Sequence, residues 1–173
     1  MDPAIVWIDA HGDVQTLETT ESGYLGGMAL RLLLGYRADL IAEPLGLRPP
    51  APERALLLDA RDLDAAEVDY LATAPLRHRT LAELSPGDLP EGPFLLNLDL
   101  DTLDPAVLPG LRYPAANGPG ESDLLGAVRI IMESGRVAAV NLACTWHDGG
   151  PPIAVRERLI ASILEATSDR KGE

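Results

Sequence analysis

At 173 residues the chain is long enough for one domain with a substantial core, and short for the larger α/β enzyme folds. Asp and Glu number 27 against 14 Lys and Arg, a formal charge of -13 that argues against nucleic acid or an anionic membrane surface as partner and is compatible with binding cations. No apolar run approaches the roughly eighteen residues of a membrane span, the start carries no basic leader, and the single Cys144 excludes an internal disulfide framework, so the expectation is a soluble cytoplasmic protein.

Ala4-Ile5-Val6-Trp7-Ile8 is continuously apolar rather than alternating, the pattern of a strand covered on both faces in a parallel sheet. It runs into Asp9-Ala10-His11-Gly12-Asp13. Gly27 to Leu34 is apolar enough for a packed helix, stopped at Gly35. After a loop from Glu43 to Glu53 rich in proline, Ala55 to Leu58 reads as a second strand. Asp64-Ala65-Ala66-Glu67 then reads as an N-cap with a capping-box Glu, leading into Val68 and Leu71. His78, between Arg77 and Arg79, is expected in a solvated basic patch, and Trp7 and Tyr70 in or near the core.

Phe94 to Leu98 is a third buried strand, ending at Asp99-Leu100-Asp101-Thr102-Leu103-Asp104. The loop from Pro105 to Gly120 follows at once and is expected to wall the site, because ligand crevices in open α/β sheets lie beyond the carboxyl ends of strands. Asp104 is expected to brace that loop. Leu124, Leu125, Val128, Ile131 and Met132 form a helical stripe closed by Gly135, and Val137 to Leu142 is a fourth buried strand. A last helix puts Val155, Leu159, Ile160, Ile163 and Leu164 on one face, giving a domain over residues 1–166 and a frayed tail over 167–173. Strands alternating with helices predict a three-layer α/β/α fold with a mainly parallel sheet.

The two acidic clusters are read together as one metal site. In extended backbone Asp9, His11 and Asp13 share a face, and Asp99 and Asp101 repeat that geometry. Four carboxylates and an imidazole gathered at strand ends repel one another unless a cation lies between them, and such ligands suit Mn(II), Zn(II) or Fe(II). The alternative is a pair of solvated loop tips with capping Asp residues.

With these motifs the chain resembles the arginase and agmatinase family, the ureohydrolases, whose signatures are DAHxD and SxDxDxxDP. They stand here as Asp9 to Asp13 and as Asn97 to Pro105. The arginase run DAHGDxNTxETSxSGNxHGMP is matched without a gap by DAHGDVQTLETTESGYLGGMA, and the likeness extends through Ala60-Arg61-Asp62-Leu63-Asp64. The resemblance implies a truncated arginase-like fold that binds one or two Mn2+ ions. Asp9 and Asp99 would bridge the ions, Asp13 would bind one, and His11 and Asp101 the other. It further implies a metal-bound hydroxide attacking the guanidinium carbon, releasing urea and an amine.

Several family features are altered. The sixth ligand, a His of a GGDH motif, has no counterpart. The proton-shuttle His is replaced by Gly26, and Tyr24 and Gln15 replace Asn residues that grip the amino-acid end of arginine. Neutral Asn141 stands where a Glu holds the guanidinium, which argues against arginine itself as substrate. Thr20 and Ser22 match substrate-contacting positions, and His147 is a candidate substitute base or ligand. Two readings follow: a Mn-dependent hydrolase of the C–N bond of a guanidino or amidino compound, or a catalytically degenerate subunit or scaffold that keeps part of the metal site. With the family's sheet as template, strand Val137–Leu142, interior there, would lie at an exposed edge here, inviting a second copy or a complementing amino-terminal subunit.

Overall fold

The computed structural model of the protein describes residues 2–151 and 153–168. Strands β1 (Ile5–His11), β2 (Ala55–Asp62), β3 (Arg77–Arg79), β4 (Phe94–Asp99) and β5 (Val137–Ala143) form one parallel sheet in the order β3-β2-β1-β4-β5. Helices α1 (Ala29–Leu33) and α2 (Ala65–Thr73) follow β1 and β2, while α3 (Glu121–Glu133) and α4 (Ile153–Ser168) follow β4 and β5. Leu30, Tyr70 and Leu71 pack on Ile5, Trp7 and Leu57 on one face of the sheet. Leu124, Val128, Leu159 and Ile163 pack on Val6, Ile8 and Leu96 on the other. This is the three-layer α/β/α arrangement, with the sheet as the middle layer.

Continuous apolar runs become central strands because each face meets a helical layer: Val6, Ile8, Leu56, Leu57, Leu58, Leu96 and Leu98 are fully buried. The predicted stops hold, with Gly35 at φ 96 and Gly135 at φ 66 in the left-handed region, just beyond α1 and α3. Glu67 makes the capping contact, its Oε2 accepting from the Asp64 backbone N–H at 3.1 Å. Its Oε1 accepts from Val14 N–H at 3.1 Å, so α2 also anchors the loop that leaves β1.

The fold differs from expectation in several places. Arg77–Arg79 is a strand, and His78 donates from Nε2 to the Asp59 carbonyl at 2.8 Å rather than standing in a solvated patch. Strand β5 is the sheet edge as expected, but it is not a buried strand, since Ala138 to Leu142 are exposed. In α4, Leu159 and Ile163 are buried, whereas Ile160 and Leu164 point outward, so the apolar stripe is only half core. The extended geometry expected through both acidic motifs also stops early. Asp13 turns back at φ 53, and Asp101 sits on a 3-10 turn over Leu100–Thr102. The frayed tail expected over 167–173 lies mainly outside the described residues, since α4 continues to Ser168.

Candidate metal centre

Chain order runs outward from β1 through β2 to β3, then returns to place β4 on the opposite side of β1. Neighbouring connections therefore leave in opposite directions at the carboxyl ends of β1 and β4, where open α/β sheets form their crevice. Both acidic motifs end at that crevice. A cavity of about 620 Å³ opens there, lined by Asp9, His11, Asp13, Asp99 and Asp101 among others.

Ligand atoms of Asp9, His11 and Asp101 all lie within 4.8 Å of one another. His11 Nδ1 faces Asp9 Oδ1 at 3.2 Å and Asp101 Oδ2 at 3.1 Å. The backbone holds these side chains in place. Asp9 Oδ1 accepts from His11 N–H at 2.8 Å, Asp101 Oδ1 from Ala10 N–H at 3.3 Å, and Asp99 Oδ1 from Asp101 N–H at 3.0 Å. The 3-10 turn supplies what an extended strand could not, because it folds Asp101 back toward β1. Asp13 and Asp99 line the same cavity outside the tight trio.

The electrostatics are those of carboxylates crowded out of water. Burial raises the Asp9 pKa above the usual carboxylate range. Burial, then the Asp9 charge, pushes Asp13 up to about 9, and burial, then the Asp101 charge, pushes Asp99 up to about 7. Burial alone would lower His11, but its hydrogen bonds to Asp101 and Asp9 outweigh this and raise the imidazolium to about 11. Oxygen donors gathered around one imidazole in a crowd of carboxylates fit a divalent cation.

The remaining site residues fare differently. Gln15 lines the cavity, yet its amide is consumed: Nε2 donates to Asp64 Oδ2 at 2.8 Å and Oε1 accepts from Thr19 Oγ1 at 2.6 Å. Thr20 and Ser22 also line it, and their hydroxyl oxygens accept from the backbone N–H groups of Gly23 and Tyr24. Asn141 reaches the cavity wall and donates from Nδ2 to Asn97 Oδ1 at 2.6 Å, its β4 neighbour in register. His147 is exposed in the loop after β5 and is not among the lining residues. Trp7, Glu67 and Tyr113 are lining residues that sequence reasoning did not assign to the site. Period-two alternation places Trp7 on the face of Asp9, and that signal was available for Trp7 alone.

Tyr113 is held by the loop from Pro105 to Gly120, which does wall the crevice. Asp104 braces it as expected, accepting from Ala106 N–H at 2.9 Å and Gly118 N–H at 3.1 Å. Arg61 clamps it from β2, donating to the carbonyls of Ala115 at 2.8 Å and Ala116 at 3.0 Å. The loop closes so tightly on the second motif that a Cβ at Gly118 would lie 2.7 Å from both Asp104 N and Thr102 O. Because those are backbone atoms, Gly118→Ala is expected to cost about 1–3 kcal/mol. Urea unfolding reads this as a lower midpoint at unchanged slope, and an unchanged midpoint would mean the loop relaxes freely.

Known proteins match along this whole region. The arginase family profile matches residues 1–145. Arginase from Bacillus caldovelox is 34% identical over 131 residues, covering 66% of this chain and 43% of its own length. Arginase from Bacillus subtilis (strain 168) is 29% identical over 148 residues, covering 78% of this chain and 50% of its own. A crystal structure of Bacillus subtilis arginase superposes with a TM-score of 0.85 at 26% identity, over 98% of this chain and 63% of that one. The chain spans about half the length of the curated relatives it matches. Sheet order, acidic motifs at the crevice and family match agree: the chain belongs to the arginase family.

Proposed function

We propose that this chain binds one or two Mn(II) ions through Asp9, His11, Asp13, Asp99 and Asp101, and acts on the C–N bond of a small guanidino or amidino compound seated in the crevice. The observation that carries this reading is the Asp9–His11–Asp101 cluster at the carboxyl ends of β1 and β4 of an arginase-family chain. A divalent ion held there would supply Lewis-acid polarisation and a bound water of lowered pKa. The chain's own part is orientation. Asp9 and Asp101 fix the His11 ring so that Nδ1 faces the carboxylates, and the backbone N–H of Asp101 fixes Asp99. The acidic lining draws a cation toward the ligands.

A second reading, a scaffold without turnover, is favoured by two positions. Gly26 offers no titratable group, and Asn141, bonded to Asn97, offers a neutral amide where a carboxylate would grip a guanidinium. Elemental analysis after Mn(II) saturation and removal of excess separates them. Two ions per chain and urea released from any member of a guanidino panel support the hydrolase. One ion or none, with no urea, supports the scaffold and sinks the hydrolase for this chain alone. The uncovered β5 edge supports a homo-oligomer or a complementing amino-terminal subunit, and the single half-buried Cys144 supports a reducing cytoplasmic setting. Among the described residues no helix is long and apolar enough to cross a membrane.

A further inference from the structure

Any side chain at position 26 would meet the Tyr24 ring, one of the two having to give way. A Cβ at position 26 would lie 2.2 Å from Tyr24 Cε1, 2.6 Å from Cζ and 2.9 Å from the phenol oxygen. The ring fills the volume in which the family resemblance expects an imidazole. It lines the cavity and stands 5.3 Å from the Tyr113 ring, centroid to centroid, with the planes inclined by 34°. Tyr113 in turn meets the His11 ring edge to face at 6.5 Å. A row of rings therefore runs from Tyr24, 45% exposed, inward to a residue of the ligand cluster.

The hydrogen-bonding groups on the same side are partly engaged, and the carboxylates of Asp62 and Asp64 line the cavity beside them. Both ends of the Gln15 amide are bonded within the protein, and the Thr20 and Ser22 oxygens accept from their own loop. Among the described residues no Lys or Arg lines the cavity, so an α-amino acid's carboxylate meets aromatic faces and repelling carboxylates. A flat or apolar body gains there, because rings reward stacking and a cation over their faces.

We propose that Tyr24 and Tyr113 form a stacking wall that sets ligand choice, so that the cavity takes an amidine or guanidine carried on a flat or apolar body in preference to one carried on an α-amino acid. The inference rests on the cavity being that of a metal-dependent amidinohydrolase-type protein. Gly26 and Tyr24 act as a pair, the absence of one side chain making space for the other.

Calorimetric titration of the Mn(II)-treated protein with benzamidine and with L-arginine tests this, with manganese content measured on the same samples. Benzamidine is expected to bind at least about tenfold more tightly than arginine. Tyr24→Ala is expected to weaken benzamidine about five- to tenfold and leave arginine unchanged, whereas Tyr24→Phe keeps the wild-type value. Gly26→Ala, whose methyl displaces the ring, is expected to reproduce Tyr24→Ala, and the double variant to lose nothing further. Arginine binding as tightly as benzamidine, or benzamidine indifferent to Tyr24→Ala, overturns the inference while leaving bound manganese as evidence for the metal centre. Tyr24-dependent benzamidine binding without manganese sustains the aromatic wall and removes the metal reading instead.

Discussion

Asp9→Asn is expected to weaken Mn(II) binding by at least about a hundredfold, beyond the ten- to hundredfold typical of losing a partner one shell farther out. At the same time the metal-free variant should be more stable than the metal-free wild type above neutral pH. Both effects come from one cause. Asp9 is 2% exposed and shares His11 Nδ1 with Asp101, so its charge stabilises a bound cation, and without one the His11 imidazolium offsets only part of the cost of burying it. Burial raises its pKa and drives Asp13 to about 9 and Asp99 to about 7. A carboxyl raised in the folded state stabilises fully while protonated, and that stability is lost as pH climbs from the ordinary value near 4 through the folded one. His11, raised to about 11, contributes fully below its ordinary value near 6.5, and that contribution is lost progressively as pH climbs from there through the folded value. Metal-free wild type should therefore lose stability from about pH 4 to about 11, and Asn at position 9 removes the Asp9 part of that loss without changing the side chain's shape. Mn(II) titration by calorimetry and melting in a chelator across this pH range read the two effects. Affinity retained within about tenfold would remove Asp9 from the ligand set, and a variant melting below wild type at pH 8 would reverse the sign argued for its charge.

The acidic cluster was legible in the sequence because its signal is local: carboxylates and an imidazole at fixed spacing, directly after the apolar runs of β1 and β4. Its conformation was not. Asp13 at φ 53 and Asp101 on a 3-10 turn reach the cavity by leaving the extended geometry that spacing alone suggests. Strand β3 was illegible because three residues reading Arg-His-Arg carry no apolar pattern and pair only with β2. Strand β5 shows the converse. Its composition is that of a covered strand, and nothing local reports that one side of it has no neighbour. Tyr113 was lost within a long loop whose shape depends on Arg61 and Asp104, residues far apart in sequence. The exchange between Tyr24 and Gly26 could be seen as two substitutions, but only the fold reveals that one fills the space of the other.

The chain is expected to self-associate through β5, and Val140→Lys is expected to make it monomeric. The two sheet edges are protected unequally. At one, β3 is three residues long and carries Arg77 and Arg79, the charged, short strand that discourages pairing. At the other, β5 has seven residues, no charge and exposed backbone neighbours from Ala138 to Leu142. Register pairs Val140 with Leu96 and Leu142 with Leu98, so both side chains lie on the α3 and α4 face of the sheet. Exposed Ile153, Ile160 and Leu164 of α4 add further apolar surface. Two copies meeting edge to edge about a two-fold axis would pair these backbones and bury the valine and leucine at the centre of the contact. Light scattering on the eluting protein should give at least twice the 18.4 kDa chain mass. A lysine at position 140 places an unpaired charge in that contact and should weaken association by at least about a hundredfold, while far-ultraviolet dichroism stays unchanged. A strictly monomeric wild type contradicts the edge as a self-association surface, and a variant that keeps the wild-type mass moves the contact away from β5.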